Sequence, residues 1–210
     1  MIRLDVAQGS PEWYDARLGL PTASAYDRIL TPKKLQVSAS ATAYRNQLLV
    51  EYLFGIPVVD ADATGFMRRG AEMESEAVAW YEMHRDVDVD RVGFCLHDDR
   101  RTGCSPDGLV GDEGGLEMKC PSAHVHVGYL LDGLTDEYRL QVQGGLWVTG
   151  RQWWDFLSYH PTLPAVLVRM HRDDECIAAL NAAIPAFCDQ LDAAKEILAS
   201  RGVVPRTVAA

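Results

Sequence analysis

Residues 104–121, CSPDGLVGDEGGLEMKCP, constrain the fold more than any other part of the chain. The run has strand-like residues on either side of a glycine-rich turn, which is the pattern of a tight antiparallel hairpin. Glu117 and Lys119 are two residues apart on the second strand, so their side chains leave the same face, whereas Met118 points into the core. Asp107 begins the first strand, and the turn returns that strand beside the second. We therefore predict that two carboxylates and one ammonium group converge.

The order of helical and strand-like segments predicts an α/β or α+β fold. Apolar residues recur at helical spacing early in the chain, alternate in its middle, and return to helical spacing after the hairpin. Two more strands and a long C-terminal helix follow, which gives a central mixed β-sheet flanked by helices. The segments are SPEWYDARLGL, TASAYDRIL, TAYRNQLLVEYLFG and GFMRRGAEMESEAVAWYEMHRD (helices), DVDVDRVGFCLH and the hairpin (strands), EYRLQVQGGLWVTG (helix), QWWDFLSYHP and AVLVRMHR (strands), and DECIAALNAAIPAFCDQLDAAKEILASRG (helix).

The composition favours one intracellular domain. The 210 residues contain no repeat or linker, so we expect a single domain over residues 1–210, with 48% hydrophobic residues to fill its core. No apolar run approaches the ~20 residues of a membrane helix, so we expect no membrane partner. The five cysteines form no CxxC pair, and the N-terminus lacks a signal-peptide pattern. Both features favour reduced thiols and a cytoplasmic location.

The net charge of −10 argues against a non-specific nucleic-acid-binding protein, which is usually basic. It does not exclude an enzyme that gathers carboxylates around metal ions and keeps its basic residues local. Basic residues do occur in pairs, at Lys33–Lys34, Arg68–Arg69 and Arg100–Arg101. Each pair, taken alone, also suits a solvated surface.

The charged residues of the hairpin suit phosphodiester hydrolysis. Two carboxylates, with backbone carbonyl and water oxygens, are hard ligands that prefer Mg²⁺ or Mn²⁺ to zinc. A lysine beside such an ion can orient or deprotonate a water molecule and offset the charge on a phosphate. Glu-x-Lys alone is common on exposed strands. The preceding Pro106–Asp107, with a glycine-rich turn between, makes the pattern informative.

The hairpin resembles the PD-(D/E)xK nuclease signature, and the wider sequence resembles the lambda-type exonucleases, also called the YqaJ-like viral recombinase family. Three further blocks carry this resemblance and stand in the family's order, from about Glu12 to Gly150. They are EWYDARLGLPTAS, RRGAEMESEA and YRLQVQGGLWVTG. The resemblance implies a PD-(D/E)xK nuclease-like core.

The resemblance also implies roles for the hairpin residues. Asp107 and Glu117 match the metal-binding acids, and the backbone carbonyl of Met118 matches a further ligand. Lys119 matches the catalytic lysine. The expected cofactor is Mg²⁺, for which Mn²⁺ substitutes.

Two helices contribute the remaining residues of this expected active site. Glu74 matches an acid of the family that lies near the metal ions, although Glu72 and Glu76 stand in the same acidic run. Gln141 and Gln143 match a Q-x-Q helix, and residues two apart on a helix cannot face the same way. We favour Gln143 for catalysis and leave Gln141 to DNA contact, packing or solvent.

The N-terminal block has residues that suit a phosphate. Arg17 offers a planar fork of donors, and Thr22 and Ser24 offer hydroxyls at the start of a helix. Capping of that helix is the alternative role for both hydroxyls. Together with Ser105, these residues resemble the family's pocket for the 5′-terminal phosphate of DNA.

The expected function is therefore that of a Mg²⁺-dependent 5′-to-3′ exonuclease acting on duplex DNA ends. It would release 5′-mononucleotides and leave a 3′ single-stranded overhang for phage-type recombination. The resemblance further implies a ring-shaped homotrimer, a single-strand annealing protein as partner, and the cytoplasm of a bacterial host or prophage-carrying cell. The alternatives are an endonuclease or single-strand nuclease with the same core, or a non-catalytic protein that binds DNA ends.

Overall fold

The structure is a computed structural model that describes residues 1–58 and 63–205, with side chains omitted for residues 63–72. The described part contains eight strands, six α-helices and two 3-10 helices. The strands are β1 (Ile2–Leu4), β2 (Val89–Asp90), β3 (Phe94–Leu96), β4 (Gly103–Cys104), β5 (Gly108–Val110), β6 (Gly114–Lys119), β7 (Trp153–Ser158) and β8 (Val166–His171). The helices are α1 (Pro11–Arg17), α2 (Ala41–Phe54), α3 (Ala63–Arg85), α4 (Ala123–Asp132), α5 (Arg139–Thr149) and α6 (Asp174–Ser200), with 3-10 helices at Ala23–Arg28 and Asp136–Tyr138.

The strands form two sheets, and helices flank the larger one. Five strands lie in the order β2-β5-β6-β7-β8, with β6 and β7 parallel and the other pairs antiparallel. The strands β1, β3 and β4 form a separate antiparallel sheet. The prediction of a central mixed sheet flanked by helices is confirmed.

The segment 86–97, which the sequence predicts as one strand, is divided between the two sheets. Its first half forms β2 beside β5, and its second half forms β3 beside β1 and β4. The division occurs near Gly93, where an added Cβ would lie 1.7 Å from the carbonyl oxygen of Val6. Alternation of apolar residues predicts an extended backbone, but it does not reveal which sheet each half joins.

The hairpin forms as predicted, but its glycines have two different uses. Gly111 has φ +51° and makes the turn. Gly114 and Gly115 lie within β6, where an added Cβ would meet the rings of Trp153 and Trp154 at 2.1 and 2.3 Å. These two glycines therefore let β7 pack its tryptophans against β6, which holds the hairpin firmly in the sheet.

Helix α5 lies in the middle of the protein and is buried along most of its length. Gly144 faces Tyr26 of the first 3-10 helix, where an added Cβ would lie 2.6 Å from the ring. Gly145 faces Trp154 of the sheet, at 3.0 Å. The two glycines allow α5 to pack closely on both sides, and this places the first turn of α5 beside β6.

Helix α3 is attached to the sheet by a buried ion-pair network. Tyr81 donates to Asp155 at 2.8 Å, and Arg169 donates to the same carboxylate at 2.8 and 2.9 Å. Asp155 is fully buried, so these partners are needed to compensate its charge. Among the described helices, none has the length and apolar character of a membrane span.

Candidate active site

The hairpin brings Asp107, Glu117 and Lys119 together. The carboxylate of Asp107 accepts a hydrogen bond from the backbone N–H of Met118 at 2.5 Å. Lys119 Nζ lies 2.5 Å from Glu117 Oε1, so the ammonium and carboxylate form an ion pair on one face of β6. Met118 points to the opposite face and joins the core packed against α3. The predicted convergence of the three charged groups is thus observed.

Burial and mutual repulsion of the carboxylates dominate the electrostatics of this site. Burial, and after it the neighbouring Glu117, raise the pKa of Asp107 to about 8 against the opposing effects of Lys119 and the Met118 N–H. Burial favours the neutral form of Lys119, but Glu117 and Asp107 outweigh it and raise its pKa above the usual value. Lys119 therefore remains a cation, and the raised pKa of Asp107 means that the two neighbouring carboxyl groups are difficult to ionise together.

The structure reverses the expected assignment of the two glutamines. Gln141 Nε2 donates to Glu117 Oε1 at 2.6 Å and faces the site. Gln143 is buried elsewhere, where it donates to the carbonyl of His171 at 2.8 Å and accepts from the N–H of Asp173 at 3.0 Å. Residues two apart on a helix are rotated by about 200°, so one of them must turn away. Gln143 joins α5 to the chain after β8, and the expectation that it faces the site is wrong.

Of the acids on α3, Glu74 lies near the hairpin. Its charge contributes to raising the pKa of Asp107, and its carboxylate also pairs with Arg91 at 3.4 Å. Glu76 instead accepts the hydroxyl of Tyr159 at 2.7 Å. The third acid of the run, Glu72, lies outside the described side chains.

The hairpin offers a suitable set of ligands for a hard divalent cation. Asp107 and Glu117 supply carboxylate oxygens, and the carbonyl of Met118 is available between them in sequence. Within residues 1–58 and 73–205, no three His, Cys, Asp or Glu side chains are grouped closely enough to hold a metal ion unaided. A divalent cation such as Mg²⁺ or Mn²⁺ would stabilise both neighbouring carboxyl groups as anions and offset their mutual repulsion. The residues present therefore fit such an ion.

The N-terminal block forms a cavity of about 280 Å³. Arg17, at the end of α1, stacks on the ring of Trp13 with its guanidinium carbon 3.9 Å from the ring centre. Its Nη2 lies 3.5 Å from the hydroxyl of Thr22, which is 3.2 Å from that of Ser24. Thr22 precedes a 3-10 helix but makes no side-chain capping bond. The capping alternative is therefore wrong for Thr22, and its hydroxyl faces the arginine.

Ser105 is placed differently from the other predicted phosphate ligands. Its hydroxyl accepts from the indole N–H of Trp13 at 3.1 Å, and the same N–H contacts the carbonyl of Gly93 at 2.9 Å. Ser105 thus supports the tryptophan on which Arg17 stacks, and it is not among the described residues that line the cavity.

The cavity and the hairpin site are linked through Ser24 and Gln141. Ser24 lines both the arginine cavity and a second recess of about 260 Å³, which also contains Tyr138 and Gln141. Gln141 in turn contacts Glu117. The two sets of residues predicted from distant parts of the sequence therefore form one continuous surface.

Sequence reasoning missed two residues of this surface. Arg28 lines the arginine cavity, and Tyr138 lies with its ring centre 5.5 Å from Lys119 Nζ. Arg28 follows Ser24 by four residues, and Tyr138 precedes Gln141 by three. Helical spacing from residues already selected would have pointed to both.

Comparison with known proteins agrees with these observations. A family model described as the YqaJ-like viral recombinase domain matches residues 12–152. No curated protein sequence matches the chain. Among solved structures, the alkaline exonuclease LHK-Exo from Laribacter hongkongensis is 37% identical, with a TM-score of 0.82 over 92% of this chain and 98% of that chain. The structure of LHK-Exo in complex with dAMP gives 36% identity and the same TM-score and coverage.

A more distant likeness concerns the fold alone. A phage-related exonuclease from Haemophilus somnus 129PT has a TM-score of 0.67 at 14% identity, over 87% of this chain and 96% of that chain. The family match, in contrast, spans the hairpin, α5 and the residues of the arginine cavity, and the identity to LHK-Exo extends over nearly the whole chain. The chain therefore belongs to the YqaJ-like viral recombinase family.

Proposed function

We propose that this protein is a Mg²⁺-dependent exonuclease that digests the 5′-terminated strand of duplex DNA from its end. It releases 5′-mononucleotides and leaves a 3′ single-stranded overhang. The observation that carries the proposal is that Ser24 lines both a cavity suited to a phosphate and a recess whose Gln141 contacts Glu117 of the hairpin site. The 37% identity to an alkaline exonuclease supports the same reaction class.

The hairpin residues divide the chemistry among them. Asp107 and Glu117, with the Met118 carbonyl, would hold a magnesium ion, which supplies charge stabilisation and a more acidic water when bound. Lys119 is cationic, so it suits a role in orienting the attacking water and stabilising negative charge on the phosphate. Gln141 holds one oxygen of Glu117 and thereby fixes the direction in which the carboxylate faces.

The arginine cavity sets the position of the DNA end. Arg17 is stacked on Trp13 and so presents its fork of donors in a fixed orientation, and Thr22 and Ser24 add hydroxyls. A terminal phosphate held there places the next phosphodiester towards the recess beside Gln141. Cleavage at that bond releases one nucleotide.

Assembly and partners extend the proposal, and family membership supports them. We propose a ring-shaped homotrimer that encloses the duplex, and a single-strand annealing protein that takes over the overhang in phage-type recombination. The cytoplasm of a bacterial cell is the corresponding location. A locally basic cavity within a chain of net charge −10 suits a DNA substrate that is gripped at its end.

The test uses linear and circular duplex DNA, each with Mg²⁺ and with EDTA. The linear duplex carries different labels at its 5′ and 3′ ends. We expect early release of the 5′ label as a mononucleotide, persistence of the circle, and no release in EDTA. Cutting of the circle would indicate an endonuclease, earlier release of the 3′ label would reverse the direction, and an intact linear duplex in Mg²⁺ would indicate an end-binding protein.

A further inference from the structure

We infer that the arginine cavity is an extended anion subsite, in which Arg28 binds phosphate groups beyond the one held by Arg17. Duplex ends that carry a 5′-diphosphate or 5′-triphosphate would then be substrates. The inference rests on the proposed function and adds to it a further class of DNA end and the residue that recognises it.

The cavity is larger than a single phosphate requires. Its volume of about 280 Å³ is close to the ~300 Å³ at which small-molecule pockets begin. At ~30 Å³ for each water in the liquid, this is room for roughly nine waters. A terminal phosphate on Arg17 fills only part of that space.

Arg28 is held in the cavity wall in a way that leaves it available to a ligand. Its guanidinium lies over the ring of Tyr44, 4.4 Å from the ring centre, and its Nη1 donates to the neutral amide of Gln47 at 2.7 Å. Arg17 is stacked on a different ring, that of Trp13. Each arginine is therefore held in place by its own aromatic ring. The cavity can thus bind two anionic groups, one at each guanidinium.

Neither of these arginines is neutralised by an ion pair among residues 1–58 and 73–205. Glu51 is the one carboxylate among the described residues that line the cavity. It accepts from the backbone N–H groups of Gly19 and Val58, both at 3.2 Å. Two guanidinium groups face one carboxylate that is already hydrogen-bonded, so the cavity keeps an excess positive charge that favours an anion.

Arg17 and Arg28 both line the cavity, and neither is among the described residues of the recess that contains Gln141. Ser24 lines both the cavity and the recess. A phosphate held by Arg17 and the hydroxyls near Ser24 would therefore lead, through its nucleoside, towards the recess. Further phosphates of the same end would remain in the cavity, where Arg28 supplies a second guanidinium group.

The reaction at such an end leaves a distinctive product. Water attacks the first internucleotide phosphorus, the bond to the 3′ oxygen breaks, and that oxygen leaves with a proton. The water oxygen becomes part of the new 5′-phosphate on the shortened strand. The first product from a 5′-triphosphorylated strand is thus an intact nucleoside 5′-triphosphate, with no release of pyrophosphate.

The experiment compares two stem-loop DNA duplexes that are identical except that one carries a 5′-monophosphate and the other a 5′-triphosphate. The terminal nucleoside of each is labelled. We expect the parent protein with Mg²⁺ to release a labelled nucleoside triphosphate from the second substrate. Arg28→Gln should lower the ratio of the triphosphate rate to the monophosphate rate by roughly tenfold to a hundredfold, since a charge-assisted bond is lost. Arg28→Lys, which keeps the charge but loses the fork, should lie between.

Two controls make the outcome decisive. Arg201→Gln, an exposed change at the end of α6, should leave the ratio unaltered. Binding of the same DNA stem-loops in EDTA is measured by fluorescence anisotropy, and Arg28→Gln should weaken the affinity for the triphosphate end selectively. Melting curves should show that the variants are folded. The inference is overturned if the parent protein digests the monophosphate end but not the triphosphate end. It is also overturned if Arg28→Gln slows digestion of both ends equally. Failure of the parent on both ends would instead count against the proposed function.

Discussion

The carboxylate–lysine site on the hairpin and the arginine cavity adjoin each other, but they differ in charge. The first is built around carboxyl groups, and the second around guanidinium groups. Glu117 is already bound by Lys119 and Gln141 within the protein. Arg17 and Arg28 face the cavity with hydroxyl, amide and aromatic neighbours. A divalent cation would stabilise both acids of the first site as anions, whereas an anion would balance the arginines of the second. A DNA end with its metal ion supplies both.

The two regions also differ in how they are assembled. Glu117 and Lys119 belong to one strand, and Asp107 is joined to them by a short turn, so the site is largely local in sequence. The cavity draws on α1, the first 3-10 helix and α2, which meet only through tertiary packing. We therefore expect substitutions at the hairpin to affect the chemistry on every DNA end and substitutions in the cavity to affect the choice of end.

Lys119→Ala tests the chemical half of this comparison and should have the largest effect. Loss of the cation should reduce cleavage by at least ~10²–10³-fold, by analogy with removal of a group that stabilises transition-state charge. DNA binding in EDTA should remain, because the cavity is intact. Lys195→Ala, which removes a lysine of α6 paired with Asp192, is the matched control. Cleavage by the Lys119 variant at the parent rate would refute the assignment.

Asp107→Asn and Glu117→Gln test whether the hairpin acids hold the metal ion. Each replaces an anionic oxygen ligand with a neutral one, so Mg²⁺ affinity and rate should fall together. Calorimetric titration of Mg²⁺ into the DNA-free protein measures the affinity directly. Glu113→Gln, in the exposed turn of the same hairpin, should bind Mg²⁺ as the parent does. Unchanged affinity in both variants would place the ion elsewhere.

Arg17→Ala tests whether the cavity selects the DNA end. The parent should prefer a 5′-phosphorylated end over a 5′-hydroxyl end by roughly tenfold to a hundredfold, the value of one charge-assisted interaction. The variant should lose that preference, with little change on the 5′-hydroxyl substrate. Equal slowing on both substrates would show that Arg17 supports the fold or contacts the DNA backbone generally. If the parent protein digests both substrates at equal rates, the cavity does not recognise a terminal phosphate.

Gln141→Ala and Gln143→Ala form a matched pair with the smallest expected effects. Gln141→Ala should lower the cleavage rate by about tenfold, because Glu117 loses one of its orienting bonds, and it should leave stability nearly unchanged. Gln143→Ala should lower the free energy of unfolding by about 1 kcal/mol, because its buried side chain loses hydrogen bonds to two partly buried backbone groups. Denaturant titration and initial rates separate the two. A loss of cleavage rate in Gln143→Ala together with a loss of stability in Gln141→Ala would indicate that Gln143 acts in the active site.

The sequence alone predicted the parts of the protein that depend on near neighbours in the chain. The hairpin, the shared face of Glu117 and Lys119, and the end of α2 at Gly55 all follow from short-range geometry, and the structure has each of them. The resemblance to the family could also be recognised from the sequence, because each of its motifs lies within a short stretch of the chain. That residues 1–210 form a single domain remains a prediction.

Tertiary structure decided what local patterns left open. The spacing of Gln141 and Gln143 shows that they diverge, but only the packing of α5 between Tyr26 and Trp154 determines which one reaches Glu117. In the same way, the approach of Val6 to Gly93 divides the segment 86–97 between two sheets. Periodicity specifies the relative directions of side chains within an element, whereas the rotation and partners of that element are set by contacts with residues far away in sequence.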